Sequence, residues 1–229
     1  MKPSAASLMM ILALEFSSPL RSVAVLRSRA AASHPDVLAE VIETGPGATH
    51  PFEMIEGALQ RAGIEREEIA VLALGLGPGS YNGIRAAIAV AQGWQLARGT
   101  KLIGLSSAQT IAAQAHADGL QGRCGVVIDA QRNEFYLAEY ELHRQGWREL
   151  LPLRLVSLAE LRLHTAQSEL LIGPEVMRWF PAGKTVSPRA ATLAGLALGR
   201  TDFVPGEKLE PIYLRETKFV KAPKPRTIP

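Results

Sequence analysis

The sequence predicts an α/β chain of two lobes, and two observations carry that expectation. The first is the stretch from Ile69 to Arg98. There the apolar run Ile69-Ala70-Val71-Leu72-Ala73-Leu74 leads into Gly77-Pro78-Gly79-Ser80-Tyr81-Asn82-Gly83, and then into an alanine-rich run ending at Arg98. The apolar run fits a buried strand, the glycines and proline fit a loop, and the composition that follows favours helix. The second is a recurring plan. Leu12-Ala13-Leu14-Glu15, a polar turn and Ser22-Val23-Ala24-Val25 are matched in pattern by Val126-Val127-Ile128-Asp129, a polar turn and Phe135-Tyr136-Leu137-Ala138. Each half thus begins with a buried strand ending in an acid, turns into a second strand and continues into helices. The match is one of pattern, with too little identity to make a sequence repeat.

The elements follow in order. Leu8 to Glu15 and Ser22 to Leu26 form a hairpin, and Val37 to Ile42 is a third strand beyond the polar turn at His34-Pro35-Asp36. A helix opens at His50-Pro51, where the missing proline N–H costs nothing and Glu53 suits the positive end of the dipole; it stops at Gly63. The strand at Ile69 and the glycine loop come next, and Ile84 to Arg98 is the second helix. Lys101 to Leu105 reads as an edge strand, and Ser106-Ser107 caps a third helix over Ala108 to Ala117. Cys124 to Asp129, Glu134 to Tyr140 and Trp147 to Val156 are the strands of the second half. Helices are expected at Leu158 to His164, Pro174 to Phe180 and Arg189 to Gly199, before a closing apolar segment, Glu210 to Arg215.

The first two helices are more apolar than one packing surface requires. Phe52, Ile55 and Leu59 share a face of the first. On the second, the strongly polar Arg85, Gln92, Gln95 and Arg98 occupy one limited arc, which leaves Ala87, Val90, Ala91 and Trp94 to be buried. Such a helix is covered on more than one side, within the lobe or by another subunit.

Composition is that of an ordinary globular chain: 229 residues, 47% hydrophobic and 21% charged. Cys124 is the single cysteine, which excludes an intramolecular disulfide and suits a reducing compartment. At the head of an apolar run it reads as a small buried residue. The formal net charge of +3 is concentrated at the end, where Arg215, Lys218, Lys221, Lys224 and Arg226 face one acid, Glu216. This proline-punctuated segment is either a solvated tail or an arm that touches RNA. Lys2 and the apolar run to Leu14 resemble a secretory signal in composition, but Glu15 and the second strand that follows suit a buried first strand better. No run reaches the roughly 18 apolar residues of a membrane helix.

Several chemistries are excluded by motif. Gly83-Ile84-Arg85 stands where a phosphate-binding P-loop needs Gly-Lys-Ser/Thr, and Ser80 stands where a dinucleotide loop needs its third glycine. Ser80 directly follows Gly79, so the Gly-x-Ser-x-Gly nucleophile elbow is missing and Ser80 reads as a turn or cap residue. The five histidines are dispersed, with no pair four apart on a helix, and no dedicated metal site is expected. Glu15 and Asp129 keep two readings open. Each closes a buried strand and opens a hairpin turn, as do the acids that hold Mg²⁺ or orient water in two-lobed phosphotransfer folds; each could equally cap its own turn. The candidate nucleotide or anion site is therefore Glu15, Ser17, Gly77, Gly79, Ser80 and Asp129, with the helix N-terminus behind the loop supplying N–H groups.

Read together, Ile11 to Ser18 with Ser22-Val23-Ala24-Val25, the loop Gly77 to Arg85, Gly104-Leu105-Ser106-Ser107, Ile128 to Arg132 with Glu134-Phe135-Tyr136, and Pro211-Ile212-Tyr213-Leu214-Arg215 resemble the TsaB/YeaZ family. The resemblance implies an α/β, two-lobed actin/Hsp70-like (ASKHA) fold with duplicated mixed-sheet lobes. The lobes would span 8–118 and 119–215, followed by a basic tail over 216–229. It also implies a cytoplasmic role in making threonylcarbamoyladenosine in tRNA beside the anticodon, as a non-catalytic scaffold. The expected partners are a TsaD-like catalytic subunit and a TsaE-like ATPase, with a homodimer when the chain is alone and tRNA touched indirectly or through the tail. The implied partner surface is the first two helices, with Phe52, Ile55, Leu59, Ala87, Val90, Ala91 and Trp94. No cofactor is required on this reading, although ATP with Mg²⁺ remains an option for the cleft. Glu15-Phe16-Ser17 departs from the family's Asp-Thr-Ser, and Gly173-Pro174-Glu175 replaces a more open glycine turn. Both changes weaken nucleotide binding without touching a scaffold role. The alternatives are an ATPase or phosphotransferase of the same fold and, with less support, a glycoprotease.

Overall fold

The structure, a computed structural model, describes residues 9–28, 36–45, 49–165 and 170–214. Among them are two five-stranded mixed sheets. The first has the order β3-β2-β1-β4-β5, with β1 (Met9–Glu15), β2 (Leu20–Ser28), β3 (Asp36–Thr44), β4 (Ile69–Gly75) and β5 (Lys101–Leu105). The second has the order β10-β9-β6-β7-β8, with β6 (Gly122–Asp129), β7 (Glu134–His143), β8 (Gly146–Ser157), β9 (Leu170–Gly173) and β10 (Lys184–Thr185). In each sheet an antiparallel hairpin sits beside parallel strands: β1 pairs antiparallel with β2 and parallel with β4, and β6 does the same with β7 and β9. The two halves therefore repeat in topology, as the pattern of strands ending in acids predicted.

Because successive strand residues point to opposite faces, the first sheet feeds two cores. Leu12, Leu14, Val23, Val25, Leu72 and Leu74 face α1 (Pro51–Ala62) and α2 (Tyr81–Arg98). Ile11, Ala13, Ala24, Val71, Ala73 and Ile103 face α5 (Ala190–Ala197). In the second sheet Cys124, Val126, Ala138 and Tyr140 face α3 (Ser107–Ala117), while Val127, Phe135 and Leu137 face the side of α4 (Leu158–Thr165), which contributes Leu161.

This arrangement joins the two halves of the chain. The strands of the two sheets follow one another in chain order, β5 closing the first set and β6 opening the second, but the helices between them are exchanged. α3, from the first half of the chain, packs on the second sheet, and α5, from the second half, packs on the first. The closing segment follows α5: Val204 bridges Leu102, and Ile212 donates its N–H to the Leu76 carbonyl at 2.8 Å. α3 and α5 thus each cover the sheet built from the other half of the chain. The expected tail over 216–229 lies outside the described residues.

Two elements differ from expectation. The helix expected over Pro174 to Phe180 is a single 3₁₀ turn at Val176–Arg178. Pro181 stops its continuation, and the short β9 and β10 flank it. α2 begins at Tyr81, three residues earlier than the glycine content suggested. Gly83 lies inside this helix, where a Cβ would overlap the Phe16 carbonyl, so glycine at this place serves close packing rather than a loop.

Candidate functional site

Three turns converge on one cleft of about 1260 Å³ between the sheets: the β1–β2 turn, the loop from β4 into α2, and the β6–β7 turn. The loop is held by its own backbone. Ser80 N–H donates to the Ser17 carbonyl at 2.7 Å, Gly77 N–H donates to Ser107 Oγ at 3.2 Å, and Ser107 N–H returns a bond to the Gly77 carbonyl at 2.8 Å. Gly79 has a φ of +149° and lies against the Ser17 carbonyl, where any side chain would overlap it. Ser80 caps α2, its Oγ accepting from Gly83 N–H at 3.3 Å. The Gly77–Pro78 peptide is cis.

Glu15 stands apart from the cleft it was expected to line. It is fully buried, accepts Ser17 N–H at 2.9 Å and accepts the Ser107 hydroxyl at 3.0 Å. Burial pushes its carboxyl above the ordinary 4.5, with the bonds from Ser17 and Ser107 pulling the other way. It therefore pins the end of β1 to the start of α3. Asp129 does line the cleft, yet both its oxygens accept from Gln131, the backbone N–H at 2.8 Å and the side-chain amide at 3.3 Å. Ser17, Gly79, Ser80 and Asp129 are thus brought together, whereas Glu15 and Gly77 are behind the lining. Among the described residues no three of His, Cys, Asp and Glu are grouped to hold a metal ion.

The expected partner surface is largely interior. Ile55, Leu59, Ala87 and Ala91 are buried against the first sheet, Val90 is nearly so, and Trp94 packs half-buried on the same core; Phe52 alone is well exposed, at 73%. The periodicity left open whether these faces are covered within the lobe or by another subunit, and the first sheet covers the inward face of each. The outward face of α2 is different: Ala89, Gly93, Leu96 and Ala97 are exposed, Leu96 at 90%.

Residues absent from the sequence-derived site dominate the cleft walls. Tyr81 and Tyr213 stack with ring centroids 5.8 Å apart and planes at 24°, and both line the cleft together with Tyr136 and Trp179. Desolvation and the adjacent Tyr81 push the Tyr213 hydroxyl upward from its ordinary value. Only long-range folding joins these four, and no spacing in the chain signals it.

Comparison with known proteins adds three findings. A family model described as "TsaD: tRNA N6-adenosine threonylcarbamoyltransferase" matches residues 51–193. The protein "tRNA threonylcarbamoyladenosine biosynthesis protein TsaB" of Escherichia coli (strain K12) is 30% identical over 181 residues, covering 71% of this chain and 78% of that one. Its namesake in Haemophilus influenzae is 30% identical over 155 residues, 64% of each chain. Among solved structures, YeaZ from Pseudomonas aeruginosa superposes with a TM-score of 0.75 at 24% identity, over 90% of this chain and 100% of that one, and shows the same fold.

Proposed function

The chain belongs to the TsaB/YeaZ family of tRNA threonylcarbamoyladenosine biosynthesis proteins, and on that premise we propose that it is the non-catalytic subunit that holds and activates a TsaD-type catalytic partner. A TsaE-type ATPase joins the larger assembly. The role requires no cofactor in this chain, and its place is the cytoplasm, where tRNA is modified; no helix among the described residues is long and apolar enough to cross a membrane.

The observation that carries the reading is the outward face of α2. Ala89, Gly93 and Ala97 are small enough for a second helix to approach closely, and Leu96, 90% exposed, supplies an apolar anchor. In the absence of the partner this face pairs with a second copy. The non-catalytic part of the reading is supported by the loop, whose Gly77, Ser80 and Gly83 N–H groups are all spent inside the chain, and by Glu15, whose carboxylate is enclosed.

The test is co-purification of the chain with the TsaD-type subunit of its own cell, repeated with Leu96→Glu. We expect a stoichiometric complex that Leu96→Glu abolishes while the variant keeps its circular dichroism and melting temperature. A complex that forms undiminished with Leu96→Glu overturns the proposed face, and failure of the unaltered chain to associate overturns the scaffold role.

A further inference from the structure

The closing segment that follows α5 is held in two parts of unequal strength. Its upstream part is fastened to β5 and to α2. Val204 donates its N–H to the Leu102 carbonyl at 3.0 Å, Gly206 donates its own to Gln95 Oε1 at 2.6 Å, and the Gln92 amide returns a bond to the Gly206 carbonyl at 2.9 Å. Leu209 completes this part, buried in the core that α1 and α2 share. Downstream the hold is thin. The Ile212 N–H meets the Leu76 carbonyl at 2.8 Å, the Tyr213 ring lies on that of Tyr81, and Leu214 is exposed. Between the two parts Glu210 is exposed and makes no hydrogen bond among the described residues, and Pro211 has no N–H to give.

The two rings of the stack are unequally fixed as well. Tyr81 opens α2, and Arg85, one turn on, donates to its hydroxyl at 3.0 Å with the guanidinium 5.1 Å from the ring centroid. The helix behind Tyr81 is anchored by the buried Ile84 and Ala87. Tyr213 has no such frame, and its ring stays 42% exposed. Both rings line the cleft, together with Tyr136 of the second sheet. A segment with one backbone bond and a half-exposed ring opens ahead of the fold around it, and the residues held least absorb the rotation.

We propose that Ile212 to Leu214 form a movable flap on the wall of the cleft. It opens by rotation about Glu210–Pro211 while Val204, Gly206 and Leu209 stay seated, and it lifts Tyr213 off Tyr81. In the closed state the face of the Tyr81 ring that looks toward Tyr213 is taken by the chain's own side chain, so a flat group reaches that face only after the flap opens. Tyr213 is thus a built-in occupant of the cleft wall. The flap concerns the cleft and not the outward face of α2, so it stands or falls apart from the docking of a catalytic partner.

The experiment is native-state hydrogen exchange on the full chain, read amide by amide. In the unaltered chain Ile212 is expected to exchange at least about tenfold faster than Val204 and Gly206, as separate opening requires. Tyr213→Ala and Tyr81→Ala should each accelerate Ile212 about fivefold, the size of one lost aromatic pair. The double variant should add nothing to either single one, since both remove the same stack. Tyr213→Phe, which keeps the ring, should exchange like the unaltered chain, and Val204 and Gly206 should keep their rates throughout. A common rate for Val204, Gly206 and Ile212 in the unaltered chain overturns the flap without reliance on any variant, because the segment then opens only as a whole. Additive effects of the two alanine variants overturn it too, since something other than the stack would then hold Tyr213. Equal acceleration of all three amides in Tyr213→Ala overturns the hinge at Glu210–Pro211.

Discussion

The carboxylate of Glu15 fills the space in which a side chain at Gly75 would stand. A Cβ built on Gly75 would overlap both carboxylate oxygens, and Glu15 has no room to withdraw because it is fully buried and held by Ser17 and Ser107. Gly75→Ala is therefore expected to lower the unfolding free energy by about 2–3 kcal/mol through overpacking, measured by urea denaturation. A loss below about 0.5 kcal/mol would show that the carboxylate relaxes freely.

The same carboxyl makes stability depend on pH. Burial raises its folded pKa above the ordinary 4.5, so the folded state keeps the proton where the unfolded chain releases it. The contribution of the neutral group is complete below about pH 4.5 and is lost as pH rises toward the folded value. Glu15→Gln cannot titrate, so the stability of the unaltered chain relative to that variant should decline across this window. Denaturation curves taken as a pH series check it, and a difference that is flat or rises with pH contradicts it.

Two positions on α2, nine residues apart in number, should respond oppositely to the same charge. Ala87 is fully buried and Leu96 is 90% exposed. Ala87→Glu places an unpaired carboxylate in the core and should cost about 4 kcal/mol or more, while Leu96→Glu should change stability by no more than about 0.5 kcal/mol. Thermal melts of the two proteins alone, without any partner, decide the matter.

The N-terminus of the exchanged helix α5 is tied to its host sheet through an enclosed hydroxyl and a carboxylate. Ser22, fully buried in β2, accepts the Ala190 N–H at 2.8 Å through its Oγ, and Glu40 accepts the next N–H, from Ala191, at 3.1 Å while pairing with Arg189. Ser22→Ala leaves the Ala190 donor without its acceptor and should cost about 1–3 kcal/mol. Hydrogen exchange at Ala190 to Ala197 should accelerate more than exchange in α1; uniform acceleration would mean that α5 does not loosen separately.

Strand positions and hairpins were legible because both sheets are built from short apolar runs that end in an acid or a glycine, as at Glu15, Gly75 and Asp129. Helix interiors were legible from composition, and Ser106 and Ser80 announced their caps. What escaped depended on distance along the chain. The inward direction of Ile55 and Ala87 is set by strands the helices do not adjoin in sequence, and the exchange of α3 and α5 is set by packing between halves. The site was legible only in part for the same reason. Gly79, a candidate ligand-binding position, and Gly83 in the same loop are small because the Ser17 and Phe16 carbonyls press on them, and the aromatic wall is assembled from Tyr81, Tyr136, Trp179 and Tyr213.

The exchange of helices also bears on how the chain comes to be folded as it leaves the ribosome. The strands of the first sheet are all synthesised by Leu105, yet the face formed by Ile11, Ala24 and Val71 has no cover until Ala190 to Ala197 emerge. At about 5–20 residues per second that interval lasts several seconds, during which a half-covered sheet must be tolerated or shielded. The first half is therefore not a self-sufficient folding unit, since a helix from the second half closes its sheet.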